Sequence, residues 1–166
     1  MPSASASENG TAMPARWSLR LLGGFELVAL PGGASPIPLG KRERLLLAYL
    51  SLSPKFAQPR RKLATLLWGD ANDETLLDNL RLAVWKLRKA LGDSEHRVLA
   101  SEGEDIVLDG TTFEVDVLAF RRLATQPGRA ELEAAAALSS GEFLDGLDID
   151  SEEFESWRRA EATRSR

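Results

Sequence analysis

A chain of 166 residues with 43% apolar content can bury a core, which excludes wholesale disorder. It contains no cysteine, which excludes disulfides, a thiol nucleophile and a Cys-based zinc site. The net charge of −4 hides a segregation: residues 41–91 hold eleven Lys/Arg against five acids (+6), and the other ten cations and twenty acids give −10. A basic module inside an acidic chain points to an anionic partner for that module.

Residues 1–16, "MPSASASENGTAMPAR", are Ser/Ala/Pro/Gly-rich and lack the apolar run of a secretion signal. They read as a disordered arm. No stretch of about 18 apolar residues occurs anywhere, so nothing reads as a membrane span. With the missing cysteines, this suits a cytoplasmic location.

"WSLRLLGGFELVAL" (17–30) mixes alternation with β-type residues, and its Gly pair suggests a bulge or tight turn. "PGGASP" (31–36) is a turn, and "IPL" (37–39) suits a short edge strand. Together these predict a small antiparallel sheet. "KRERLLLAYLSL" (41–52) predicts a helix that buries Leu45, Leu46, Tyr49 and Leu50 and stops before Pro54. "PRRKLATLLWG" (59–69) predicts a second, with Pro59 at its first position, Leu63, Leu66 and Leu67 inward, and Gly69 at its end. Asn72 or Asp73 can cap a third helix running to Leu91, with Gly92 as its stop. "RVLASEGEDIVLD" (97–109) predicts a β-hairpin around "EGED".

Composition then shifts. Residues 116–125, 129–141 and 151–166 are helical in pattern, with Ser151 suited to cap the last helix, and the tail as a whole is acidic, with twelve Asp/Glu against seven Lys/Arg over 111–166. A domain boundary is placed near residue 110. It separates a unit over 17–110, expected to fold alone because its sheet and helix stripes lie inside it, from the beginning of a helical domain over 111–166.

The third helix carries the functional argument. At 100° per residue, Leu76, Leu80, Ala83, Val84, Leu87 and Leu91 share one face. Asp78, Arg81, Leu82, Trp85, Lys86 and Lys89 fall opposite or on the flanks, with Arg88 at the boundary. Read blandly, this is a surface helix whose late cations favour its C-terminal end, with Trp85 packed on the neighbouring domain. The context strengthens the other reading: three helices followed by a hairpin make a winged helix, whose third helix enters the DNA major groove. Arg and Lys there bridge guanine acceptors or neutralise phosphates.

The blocks "LRLLGGFELVA", "PLGKRERLLLAYL", "RRKLATLLWGD" and "NLRLAVWKLRKALGD", in this order, resemble the SARP-type transcriptional activators. "DVLAFRRL" and "GEFLDGLDIDSEEFESWRRAEATR" resemble the start of the bacterial transcriptional activator domain, which is tetratricopeptide-like. The resemblance implies an α+β fold: an OmpR-type winged helix with an N-terminal antiparallel sheet, three helices and a C-terminal hairpin wing, followed by a partial, truncated all-α domain. It implies sequence-specific double-stranded DNA binding at bacterial promoters and activation of transcription. Arg81, Trp85, Lys86, Arg88 and Lys89 map to the recognition helix, and Arg60, Arg61 and Lys62 to phosphate-facing positions at a helix N-terminus. The loop Gly69, Asp70, Ala71, Asn72 and Asp73 maps to the segment that faces RNA polymerase. The family's direct-repeat sites imply self-association head to tail on DNA. The wing departs from the pattern: Glu102, Glu104 and Asp105 at its tip would repel phosphate.

Catalysis finds no support. His96 is the only histidine and reads as a solvated loop residue, so zinc ligation by the usual set is excluded. "DIDSEE" (148–153) reads as a helix cap rather than a carboxylate pair, and no phosphate-binding Gly loop is present. The chain is expected to be no enzyme and to need no cofactor or metal. Two alternatives stand beside DNA binding: a protein-docking winged helix working through Trp85 and Leu82, and the regulatory front end of a larger multidomain protein such as a cyclase.

Overall fold

The structure, a computed structural model, describes residues 16–33, 35–69, 71–138, 141–147, 149 and 151–165. All but the last residue of the expected arm, and Asp70 of the loop, lie outside the described residues. In chain order the elements are β1 (Trp17–Arg20), β2 (Glu26–Ala29), α1 (Lys41–Ser51), β3 (Ala57–Pro59), α2 (Arg60–Trp68), α3 (Asp73–Leu91), β4 (Leu99–Glu102), β5 (Asp105–Leu108), β6 (Phe113–Val115), α4 (Asp116–Ala124), α5 (Arg129–Leu138) and α6 (Glu152–Arg164). Short 3-10 turns lie at Pro54–Phe56 and Gly110–Thr112. The fold is α+β, with a winged helix at its centre.

The three central helices follow their sequence signals. The apolar stripe of α1 buries Leu45 to Leu50 without interruption. Pro59 sits one position earlier than expected, as the N-cap of α2 with extended ψ, and Gly69 ends that helix at positive φ. The Asn72 side chain caps α3 by accepting from the Thr75 N–H at 2.9 Å, and Gly92 closes it in the left-handed conformation. All six residues of the expected α3 stripe, Leu76 through Leu91, are buried. Burying them stabilises the fold by about 1.5–3 kcal/mol for each large side chain.

The sheets depart from expectation in three ways. Residues 37–39 form no strand: Ile37 donates one backbone bond to Leu27 at 2.7 Å, and the prolines at 36 and 38 cannot donate more. The first sheet is not purely antiparallel. Its order is β2-β1-β6, with β1 antiparallel to β2 but parallel to β6. It therefore takes its third strand from beyond residue 110. The second sheet joins the β4–β5 hairpin to β3, which pairs antiparallel with β5 through Ala57, Gln58 and Pro59. Pro59 is tolerated because β3 is an edge strand.

The tail is built into the same core. The Asp116 carboxylate, at the start of α4, accepts from the Leu21 and Leu22 N–H groups at 2.9 and 3.0 Å. Burial raises its pKa above the ordinary carboxyl value, against the lowering effect of those backbone bonds. Gly23 donates to Glu142 and Leu144 donates to Leu21, both at 2.7 Å, so residues 142–144 lie along the end of β1. Trp157 of α6 meets Tyr49 of α1 at 4.9 Å between ring centres, and Phe143 and Phe154 surround it. One continuous apolar cluster runs from Trp17 to Phe154.

Candidate nucleic-acid interface

The buried stripe of α3 fixes which side chains point outward. Arg81, Leu82, Trp85, Lys86 and Lys89 are all exposed, as the helical period requires. Trp85 is 54% exposed and Leu82 50%, so Trp85 is not packed on the helical tail. The Lys89 ammonium lies 4.8 Å from the centre of the Trp85 ring, a cation–π contact that holds the indole beside a positive charge. Arg81 forms an exposed ion pair with Asp78 one turn earlier, at 2.7 Å. Such an exposed pair contributes little to stability and leaves the guanidinium free to exchange partners.

Arg88 behaves differently. It is half-buried, and its Nε donates to the Leu99 carbonyl at 2.8 Å, tying the last turn of α3 to β4. Burial lowers its pKa; Asp93 acts in the opposite sense, and the neighbouring Arg60 charge lowers it again. Arg60 is tied to the hairpin as well. Its Nη1 donates to the Gly103 carbonyl at 2.7 Å and its backbone N–H to Glu104 at 2.9 Å.

The other two cations of α2 diverge. Arg61 pairs with Asp73 at 3.3 Å across the loop that joins α2 to α3. Lys62 is exposed but lines a cleft with Tyr49, Gln58, Trp157 and Glu161. The structure thus brings Arg60, Arg81 and Arg88 around one cavity and sets Lys62 against the tail. In the 69–73 loop, Gly69 and Asn72 serve as helix ends, Ala71 is half-buried and Asp73 is exposed. At the hairpin tip, Glu102 and Glu104 are exposed beside Gly103. His96 is exposed, with positive φ.

One residue that organises this region escaped sequence reading. Asp93 is 7% exposed, and its carboxylate accepts from three successive backbone N–H groups: Arg97 and Val98 at 2.8 and 3.1 Å on Oδ1, and Leu99 at 2.8 Å on Oδ2. It fixes the angle at which the chain leaves α3 and enters the hairpin. The available signal was an Asp directly after a helix-ending Gly, a residue type that bonds backbone two or more residues on.

Among the described residues, no group of His, Cys, Asp and Glu could hold a metal, and no helix is long and apolar enough to cross a membrane. No protein-family model matches the sequence. The chain is 30% identical over 131 residues to the regulatory protein DnrI of Streptomyces peucetius, a match covering 74% of this chain and 48% of that protein. It therefore spans about half the length of that curated relative. A solved structure of Mycobacterium tuberculosis EmbR, in complex with a low-affinity phosphopeptide, is similar to this fold with a TM-score of 0.69 at 26% identity. That match covers 87% of this chain and 41% of the EmbR chain.

Proposed function

We propose that this chain, similar to DnrI in sequence and to EmbR in fold, is a SARP-type transcriptional regulator that binds double-stranded promoter DNA in a sequence-specific way through the outward face of α3 and activates transcription from it. The carrying observation is that face: Arg81, Trp85, Lys86 and Lys89 are exposed opposite a wholly buried stripe. It lies within the segment of charge +6 in a chain that is otherwise acidic. Arg81 lies in the first half of the helix and reads a base. Lys86 and Lys89 meet phosphates, and the Trp85 indole rests on a thymine methyl or sugar.

Arg88 and Arg60 hold the hairpin against α3, and Arg61 lies at the helix junction, so these three bear on backbone phosphates from fixed positions. Lys62 has the weakest claim, since it borders the tail cleft. The acidic hairpin tip is kept out of the minor groove by its own charge. The loop at 69–73 faces RNA polymerase, and the protein acts in the cytoplasm, with copies arranged head to tail on repeated sites. The winged helix over 17–110 is the DNA-binding unit, and the helices of 111–166 begin a second functional region, although the two share a core.

Binding should be strongly salt-dependent. With about four to six phosphates neutralised, log K against log salt should fall with a slope near −4 to −5. Titration of the 166-residue chain onto duplexes selected from random DNA measures this; a flat response, or no duplex binding at about 50 mM salt, sinks the reading. Arg81→Ala should cost roughly 1–3 kcal/mol on the selected site and little on random DNA. Trp85→Ala should follow the same pattern. Both side chains are mostly exposed, so neither change should lower the melting temperature by more than a degree or two. Equal losses on both DNAs would place the reading face elsewhere.

A further inference from the structure

A cavity of about 190 Å³ lies between α3 and the hairpin. Arg60, Arg81 and Arg88 stand around it, and Leu77, Leu80, Val84 and Ile106 line its apolar part, with Ser101 completing the wall. Two of the three guanidiniums are already aimed: Arg60 by the Gly103 carbonyl and Arg88 by the Leu99 carbonyl. Each of these bonds uses one N–H and leaves the rest of the fork available. Neither Arg60 nor Arg88 forms an ion pair with a described residue, and Arg81 is held only by the exposed Asp78. Three guanidiniums stand over an apolar floor, opposed by the exposed Asp78 beside Arg81 and by Asp93, whose charge acts on Arg88, so the site stays one negative charge short.

We propose that this cavity binds a small organic acid, a carboxylate on a single apolar ring, with the carboxylate on the arginines and the ring on the leucine–valine–isoleucine floor. The fork of a guanidinium matches a carboxylate with two parallel bonds. A bare oxyanion would satisfy the cations but leave the floor wet, so the floor argues for an apolar body. The volume lies below the roughly 300–1,000 Å³ of drug-sized sites, which limits the ligand to about one ring. The guanidiniums that hold such an acid lie between the reading helix and the wing. An occupied cavity therefore competes with duplex for Arg81. That competition rests on the DNA-binding reading; the binding of the acid does not.

The test titrates the ¹⁵N-labelled 166-residue chain with sodium benzoate, and with sodium phosphate and sodium chloride at matched ionic strength, following the arginine Nε–H resonances. Benzoate should shift the signals of Arg60, Arg81 and Arg88 saturably, and at a concentration well below that needed for phosphate, which lacks the contact with the apolar floor. Arg81→Gln should weaken benzoate roughly tenfold without changing the melting temperature, since its side chain is exposed. Leu77→Gln, which wets the floor, should weaken benzoate and leave the chloride response unchanged. Equal shifts from phosphate, no saturable shift, or undiminished binding by Arg81→Gln overturns the site. Benzoate at saturation should also weaken duplex binding, and unchanged duplex affinity overturns the competition. A chain that binds benzoate but no duplex keeps this site and rejects the DNA reading, so the two failures are told apart.

Discussion

Asp93→Ala is expected to destabilise the protein by about 3–5 kcal/mol. The change leaves three backbone N–H groups without their acceptor, and those of Val98 and Leu99 belong to buried residues. Each buried donor left unpaired costs about 1–3 kcal/mol, and bonds to an ionised acceptor lie toward the top of that range. For a chain of this size, 1 kcal/mol corresponds to about 2–4 °C, so the melting temperature should fall by about 6–20 °C. Asp93→Asn keeps one acceptor oxygen and should fall between the two. The loss should reach function as well, because the Arg88 bond to Leu99 depends on where the hairpin begins. Thermal melts of the three proteins decide it; a drop of less than about 2 °C for Asp93→Ala would mean that these bonds are readily replaced by water.

Truncation after residue 110 is expected to abolish cooperative folding of the remaining fragment, the reverse of what the sequence alone leads one to expect. It removes β6 from the first sheet, uncovers Trp17, which stacks on Phe113 at 5.1 Å, and takes away the carboxylate that satisfies the Leu21 and Leu22 N–H groups. It also strips Phe143, Leu144 and Phe154 from the shared core. At about 1.5–3 kcal/mol for each large buried side chain, the loss rivals the 5–15 kcal/mol by which a typical domain is stable. A soluble 17–110 fragment with a sharp melt within a few degrees of the parent would refute this. The winged helix would then be shown to close on its own, with the tail merely resting against it.

These two cases show where sequence reading works and where it stops. The face of α3 was legible because burial imposes a period of 3.6 residues, and six apolar residues in that period leave one outward side for Arg81, Trp85, Lys86 and Lys89. Its ends were legible because Asn72 and Gly92 are the residue types that satisfy helix termini. The β1–β6 pairing was not, because "FEV" is too short to show alternation and its partner lies almost a hundred residues away. Whether Arg60 and Lys62 share a face with α3 was equally hidden. Both are cations at the start of one helix, yet one is drawn to the hairpin by Gly103 and the other to a cleft beside Trp157. Only tertiary packing separates them.

The parallel pairing of Trp17 with Phe113 also sets when the molecule can form. β1 is synthesised well before β6, and the edge it offers to that strand stays bare until the intervening chain has been made. Closing so large a loop costs entropy before any contact rewards it, which places this step late and makes it slow beside the local collapse of the three helices. On the ribosome, the nascent chain therefore carries an open strand edge and the exposed face of Trp17 through the synthesis of the whole helical centre. That is the interval in which it most needs shielding from its neighbours.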